Sequence, residues 1–236
     1  MQQLLPEPVT IDPVSAYERG PGPYLRANMV ASLDGAAQLD GHVGALTSPA
    51  DQEVLWTLRA QAQVVLVGSG TIRAEGYGPL RIPEQQIALR AAFGADPGTR
   101  LAILSNSGRL DPAGPAFTGT TPLLIVPAAA TPTTGLAEAA ELIIAGDDEL
   151  DLAAAVTALR QRGHDRILSE GGPRTLGRLL AADLVDELCL TTTPKTVLGT
   201  GSRLAIDDRT LQRDFDLARL LHHDGTLFAR WVRRRD

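Results

Sequence analysis

Two short stretches of this chain combine the residue types that grip an anion. The first is Val64-Val65-Leu66-Val67-Gly68-Ser69-Gly70-Thr71, and the second is Ile167-Leu168-Ser169-Glu170-Gly171-Gly172-Pro173-Arg174-Thr175-Leu176. Each passes from an apolar, strand-like run through glycines into a helix start. Glycines let a ligand approach the backbone closely, and the bare N–H groups of a helix start favour phosphate or pyrophosphate. Thr71 adds a hydroxyl near its helix. The first stretch also reads as a plain strand-to-helix turn, and in the second Pro173 and Leu176 simply start and bury a helix. Packing does not account for Glu170. A carboxylate at the end of a buried strand, beside such a turn, either binds a polar substrate or stabilises the helix dipole.

Other catalytic patterns are missing from the sequence. After Gly68 and Gly70 the third position of a dinucleotide-binding glycine fingerprint is Arg73. The single lysine, Lys195, follows a proline, so no Gly-Lys pair forms a P-loop. His42, His164, His222 and His223 lack the spacing of a zinc hydrolase, and Gly68-Ser69-Gly70 is not a nucleophile elbow. A phosphate-bearing cofactor or substrate is the reading with positive support.

The elements that position these turns follow from pattern. Residues 1–22 hold Pro6, Pro8, Pro13 and Pro21 with little periodicity and read as an extended, partly disordered lead-in. Strands are expected at 24–33, 64–67, 101–104, 123–126, 142–145, 166–169 and 184–191. Ser48-Pro49-Ala50-Asp51 reads as a helix start, with a serine cap and an acid at the capping-box position. Further helices are expected after Gly70, over 148–162 and over 173–180. Residues 219–232 form a hairpin about Asp224-Gly225. Strands alternating with helices imply one α/β domain over 23–236: a central, mostly parallel mixed sheet flanked by helices, with a C-terminal antiparallel hairpin.

The 236 residues carry a net charge of −6, which argues against non-specific nucleic-acid binding but not against local phosphate binding. With one cysteine, Cys189, an internal disulfide is impossible and a cysteine-based zinc site is disfavoured. No metal site is expected. No run approaches ~18 uninterrupted apolar residues, and the first ten lack a signal-peptide layout, so the cytoplasm is expected by default.

An ordered series of motifs carries a resemblance. It comprises Asn28-Met29-Val30-Ala31-Ser32-Leu33-Asp34-Gly35, Leu46-Thr47-Ser48-Pro49, Leu58-Arg59-Ala60 and Val67-Gly68-Ser69-Gly70-Thr71. Glu170-Gly171-Gly172-Pro173, Leu179-Leu180 and Leu184-Val185-Asp186-Glu187-Leu188 complete it. Over about residues 24–232 the chain resembles the reductase domain of riboflavin biosynthesis, within the dihydrofolate-reductase-like superfamily. The resemblance implies a homodimer that passes hydride from NADPH to the ribosyl C1′ of 5-amino-6-ribosylaminouracil 5′-phosphate. Bifunctional relatives carry a zinc deaminase ahead of this domain. One cysteine and the short upstream segment lead us to expect a reductase alone.

Carried over by position, Val30, Ala45, Thr47, Gly68, Gly70, Thr71 and Ser105 should line the NADPH groove. Gly171, Gly172, Pro173, Arg174, Thr175 and Leu176 should hold its phosphates. Asn28, Arg59 and Glu170 should face the substrate, while Asp34 either forms the turn after the first strand or touches ligand. Where the riboflavin enzymes carry Asp-Asp-Pro-x-Leu-Thr-Val-Arg, this chain has Glu75-Gly76-Tyr77-Gly78-Pro79-Leu80-Arg81. Glu75 can replace the first aspartate beside the cofactor, and Arg81 can meet a substrate phosphate. Glu170 or Glu75 would orient the ribose hydroxyls and stabilise the cation formed when the furanose opens. The altered stretch keeps open an enzyme acting on another pyrimidine or pteridine, a flavin-bound oxidoreductase, or a non-catalytic protein that binds NADPH or a flavin precursor.

Overall fold

The structure, a computed structural model, describes residues 1–20, 22–80, 82–95 and 98–235. In chain order the elements begin with β1 (Gln2–Leu5), β2 (Val9–Thr10), α1 (Pro13–Tyr17), β3 (Tyr24–Ala31), α2 (Pro49–Gln61), β4 (Val64–Gly68) and α3 (Ser69–Glu75). They continue with α4 (Glu84–Ala92), β5 (Arg100–Leu104), β6 (Leu123–Val126), α5 (Leu136–Ala139), β7 (Glu141–Ile144) and α6 (Leu152–Gln161). The last are β8 (Arg166–Ser169), α7 (Pro173–Ala181), β9 (Glu187–Thr192), β10 (Phe215–His223) and β11 (Thr226–Arg233).

All strands join one sheet in the order β2-β1-β10-β11-β9-β3-β8-β4-β5-β6-β7. From β9 to β7 neighbours run parallel; from β9 back to β2 they run antiparallel. The inner strands β4 and β6 are buried throughout, as continuous apolar runs must be in a parallel sheet covered on both faces. Alternation divides them between two cores. Val65 and Val67 pack with Val54 and Leu58 of α2, whereas Val64 and Leu66 pack with Leu159 of α6 and Leu176 of α7. The C-terminal hairpin turns at Asp224 and Gly225, both at positive φ, as a two-residue hairpin loop requires.

The α/β class and its mostly parallel sheet match the expectation; the lead-in differs. Residues 1–22 contain two strands and a helix, with β1 paired to β10 and Ala16 and Tyr17 buried. Pro13 is the first residue of α1 rather than a breaker, and Asp12 caps it by accepting the Ser15 N–H at 3.0 Å. The helix expected over 148–162 starts at Leu152, because Asp151 is its cap. The strand expected over 184–191 starts at Glu187. Among the described residues no helix is long and apolar enough to cross a membrane.

Candidate active site

β8 lies between β3 and β4, with Leu66 opposite Ser169, so the two glycine turns emerge side by side at the carboxyl ends of the strands. They interlock. Gly68 N–H donates to the Gly171 carbonyl at 3.0 Å, and Gly172 N–H donates to Thr71 Oγ1 at 2.7 Å. A Cβ on Gly68 would come within 2.3 Å of Thr175 Oγ1, and one on Gly171 within 2.6 Å of Met29 Sδ, so side chains are kept out of both turns. Helix α7 has no side-chain cap. Pro173 lacks an N–H and Leu176 is the first to bond back into the helix, to Gly172 O at 2.9 Å. The N–H groups of Arg174 and Thr175 therefore face outward without an intrahelical partner.

They open onto a cleft of ≈ 1080 Å³ bordered by Gly68, Gly70, Thr71, Gly172 and Pro173 as well. Arg73, Asn106 and Arg209, which the sequence did not single out, also line it. The other expected cofactor residues are placed less directly. Leu176 is buried beneath α7, and Ser105 is buried with its hydroxyl accepting the Gly108 N–H at 3.0 Å. Val30 is buried on β3, Thr47 donates to Asp51 Oδ2 at 2.9 Å, and the Ala45 carbonyl accepts from Lys195 Nζ at 2.5 Å. None of these five borders the cleft. Glu75 ends α3 and accepts the Val43 N–H at 3.1 Å, so it holds the loop before α2; its contacts do not reach Glu170.

Arg59 and Glu170 meet on the α2 side of the sheet. Arg59 Nε and Nη2 each donate to a different Glu170 oxygen at 2.7 Å, a bidentate pair. Burial opposes the guanidinium charge, but the Glu170 carboxylate more than offsets it and raises the Arg59 pKa. Tyr77 closes the group: its hydroxyl accepts from Arg59 Nη2 at 3.0 Å and donates to Glu170 Oε2. Tyr77 went unassigned in the sequence, although it sits in the stretch that departs from the riboflavin pattern. Asn28 occupies the β3 position next after Ala27, the partner of Ser169, and so stands beside Glu170. Asp34 is exposed and binds the Ser32 hydroxyl and the N–H groups of Val197 and Leu198, as a turn residue would. Arg81 lies outside the described residues.

The chain is similar to the 2,5-diamino-6-ribosylamino-4(3H)-pyrimidinone 5′-phosphate reductase of Archaeoglobus fulgidus, with 24% identity over 189 residues covering 78% of this chain and 86% of that protein. A solved pyrimidine reductase-like protein from Corynebacterium diphtheriae superposes with a TM-score of 0.81 at 29% identity, covering 91% of this chain and 93% of that one. The fold is shared with dihydrofolate reductase of Enterococcus faecalis, solved with NADP(H), at a TM-score of 0.50 and 12% identity over 90% and 97% of the two chains. Residues 23–226 match the model of the RibD C-terminal domain, and the chain belongs to that family.

Proposed function

We propose that this chain is a riboflavin-pathway reductase that uses NADPH to reduce the ribosyl C1′ of an aminopyrimidine ribose 5′-phosphate. The observation that carries the reading is the interlocked pair of glycine turns. They leave the open start of α7 facing a cleft on one side and stand beside the Arg59–Glu170 pair on the other. The relative from Archaeoglobus fulgidus, named for such a reductase, supports it.

The residues present fit a dinucleotide. Gly68 and Gly171 let the two turns pack against Thr175 and Met29, Arg174 and Thr175 offer N–H groups without an intrahelical partner, and Arg73 and Arg174 bring positive charge to the cleft. The cleft slightly exceeds the ~300–1,000 Å³ of ordinary ligand pockets, as a dinucleotide requires. The coenzyme would supply the hydride. Arg174 and Thr175 would hold its phosphates. On the substrate side Arg59 keeps Nη1 for a carbonyl or phosphate oxygen, while Asn28 and Glu170 face the sugar. Glu170 accepts from three N–H or O–H donors, so its part is to orient hydroxyls and balance positive charge, and a proton for the ring oxygen comes from elsewhere. Fixing the acceptor carbon at close range supplies much of the rate.

The test follows NADPH absorbance with the ribosylaminouracil phosphate, its 2-amino counterpart and dihydrofolate. Oxidation with either ribosyl compound supports the proposal. Oxidation with dihydrofolate alone, or with none of the three, overturns it.

A further inference from the structure

The Arg59–Glu170 pair is complete without Tyr77, because two guanidinium N–H groups already reach the two Glu170 oxygens, each at 2.7 Å. The phenol hydroxyl is therefore not needed to satisfy a buried charge. Its placement is nonetheless built into the chain. Gly76, at φ 58, ends α3 and turns the backbone. The ring of Tyr77 then packs against the core on the α2 side, and its hydroxyl reaches the pair. Asn28, Arg59, Tyr77 and Glu170 are each partly buried rather than sealed.

Reduction at C1′ needs a proton as well as a hydride, because the ring oxygen leaves C1′ as a hydroxyl. Most neighbouring groups are poor sources of it. Glu170, held by a guanidinium, is an acceptor, Arg59 does not release protons, and Asn28 carries an amide. Glu75 accepts the Val43 N–H and lies 3.9 Å from His42, whose side chain is 65% exposed; neither is bonded to the pair. Among the described residues, Tyr77 is the neutral O–H acid bonded to both Arg59 and Glu170. Arg59 also prepares the phenol to lose its proton. Nη2 donates to the phenol oxygen at 3.0 Å, and the guanidinium carbon lies 5.9 Å from the ring centroid. A cation thus already faces the charge that a phenolate would carry.

We infer that Tyr77 is the general acid of the reduction, protonating the ring oxygen of the ribosyl group as the furanose opens. This rests on the reductase reading above and supplies the proton that Glu170 does not. C1′ is flanked by the ring oxygen and by the carbon that bears the 2′-hydroxyl. A ribose hydroxyl that donates to Glu170 takes the place of the phenol on Oε2. The phenol then turns about its C–O bond toward the ring oxygen. The bond from C1′ to that oxygen breaks, the lone pair of the attached nitrogen forms a C=N bond, and the phenol proton ends on the new 4′-hydroxyl. C1′ next accepts the hydride that the nicotinamide coenzyme supplies, and the C=N electron pair returns to nitrogen. Arg59 balances the phenolate until water restores its proton, so each turnover takes one proton from solvent.

The experiment follows kcat/KM against pH for the wild type and Tyr77→Phe, with NADPH and whichever of the two ribosyl phosphates the wild type reduces. In imidazole buffer near pH 7 the variant should lose about three- to tenfold, because imidazolium reaches the ring oxygen in place of the phenol. By pH 9 the loss should widen to about 100-fold or more, within the range a positioned acid contributes. At pH 7, more imidazole should speed the variant and leave the wild type unchanged. NADPH affinity, read by fluorescence, should not move. A loss that is equal at both pH values, with no response to the buffer, gives Tyr77 a purely structural role. That result overturns the assignment and leaves the reductase reading standing. Should Tyr77→Phe not accumulate, Tyr77→His decides. Its alkaline fall in kcat/KM must move down toward the ~6.5 ordinary for imidazole, and an unmoved profile overturns the proposal. A wild type that reduces neither ribosyl phosphate removes both readings.

Discussion

Thr71 and Gly172, 101 residues apart in the chain, share a hydrogen bond of 2.7 Å in which the glycine N–H donates to the threonine hydroxyl. With the bond from Gly68 N–H to Gly171 O it ties the turn after β4 to the turn after β8. The consequence is selective. Gly172 N–H is spent on the protein, so the outward-facing donors are those of Arg174 and Thr175. The threonine hydroxyl fixes the direction in which α7 presents them.

Thr71→Val keeps the shape of the side chain and removes the acceptor. A partly buried N–H left unpaired costs about 1–3 kcal/mol, and here the turn would shift to recover it. We expect coenzyme affinity to fall roughly tenfold, with kcat for bound coenzyme little changed. Titration of NADPH fluorescence reads this directly. An unaltered dissociation constant would show that the tie between the turns does not shape the phosphate site.

Much of this arrangement was legible in the sequence, and the reason is local. Gly68 and Gly171–Pro173 announce strand-to-helix turns through residue types that have few other uses, and the Ser48 cap is likewise a short-range signal. The contacts between elements were not legible. Tyr77 pairs with Glu170 across 93 residues, and nothing around Tyr77 marks it as a partner. Asp51 was read as a capping acid because its spacing from Ser48 allows that; only its burial beside the hydroxyls of Thr47 and Thr191 shows it turned inward. The lead-in was misread for a related reason. Prolines near a terminus suggest an extended chain, whereas Pro13 starts a helix and β1 gains its stability from pairing with distant β10.

Glu170→Gln retains the shape of the side chain but removes the charge that balances Arg59. Depriving a largely buried guanidinium of its carboxylate commonly costs 2–5 kcal/mol. We expect kcat/KM to drop by about 100-fold or more while NADPH affinity is unchanged, because the donors proposed for the coenzyme lie on α7. Tyr77→Phe removes one hydroxyl and leaves the ion pair, so a smaller loss of roughly three- to tenfold is expected. Full turnover in Glu170→Gln would remove this carboxylate from the chemistry.

Arg90 on α4 is fully buried, and its guanidinium gathers carbonyls from the end of α2 and from the segment before β5. It donates to Arg59 O at 2.9 Å, Ala62 O at 2.8 Å and Gly98 O at 3.2 Å. The Arg59 and Ala62 carbonyls lie at the end of α2, where Arg59 O also accepts the Ala62 N–H at 3.2 Å, and Gly98 lies just before β5. Arg90→Met keeps much of the volume and removes the donor they share, at about 2–4 kcal/mol, or roughly 5–15 °C in Tm. Because Arg59 belongs to that last turn, KM for the pyrimidine should rise as well. A melt unchanged within a degree would assign the capping to other donors.

Glu187 gives the fold its acid sensitivity. It is 1% exposed and meets three arginines: Arg26 at 2.8 Å, Arg230 at 3.1 Å and Arg19 at 3.2 Å. Burial alone would raise its pKa, but the charge of Arg26 and the hydrogen bond and charge of Arg230 prevail and lower it from 4.5 to about 2. A carboxyl whose folded pKa is depressed contributes stability above its unfolded value, and that stability is lost as pH falls through the folded one. The window thus runs from about 4.5 down to about 2, and a shift of this size corresponds to about 3 kcal/mol. Glu187→Gln leaves the arginines without their counter-charge and should cost about 3–5 kcal/mol at pH 7. Urea unfolding at pH 7, 4 and 3 should show the wild type converging on the variant as the acid protonates. A stability gap as wide at pH 3 as at pH 7 would mean that this ionisation is not what the wild type loses in acid.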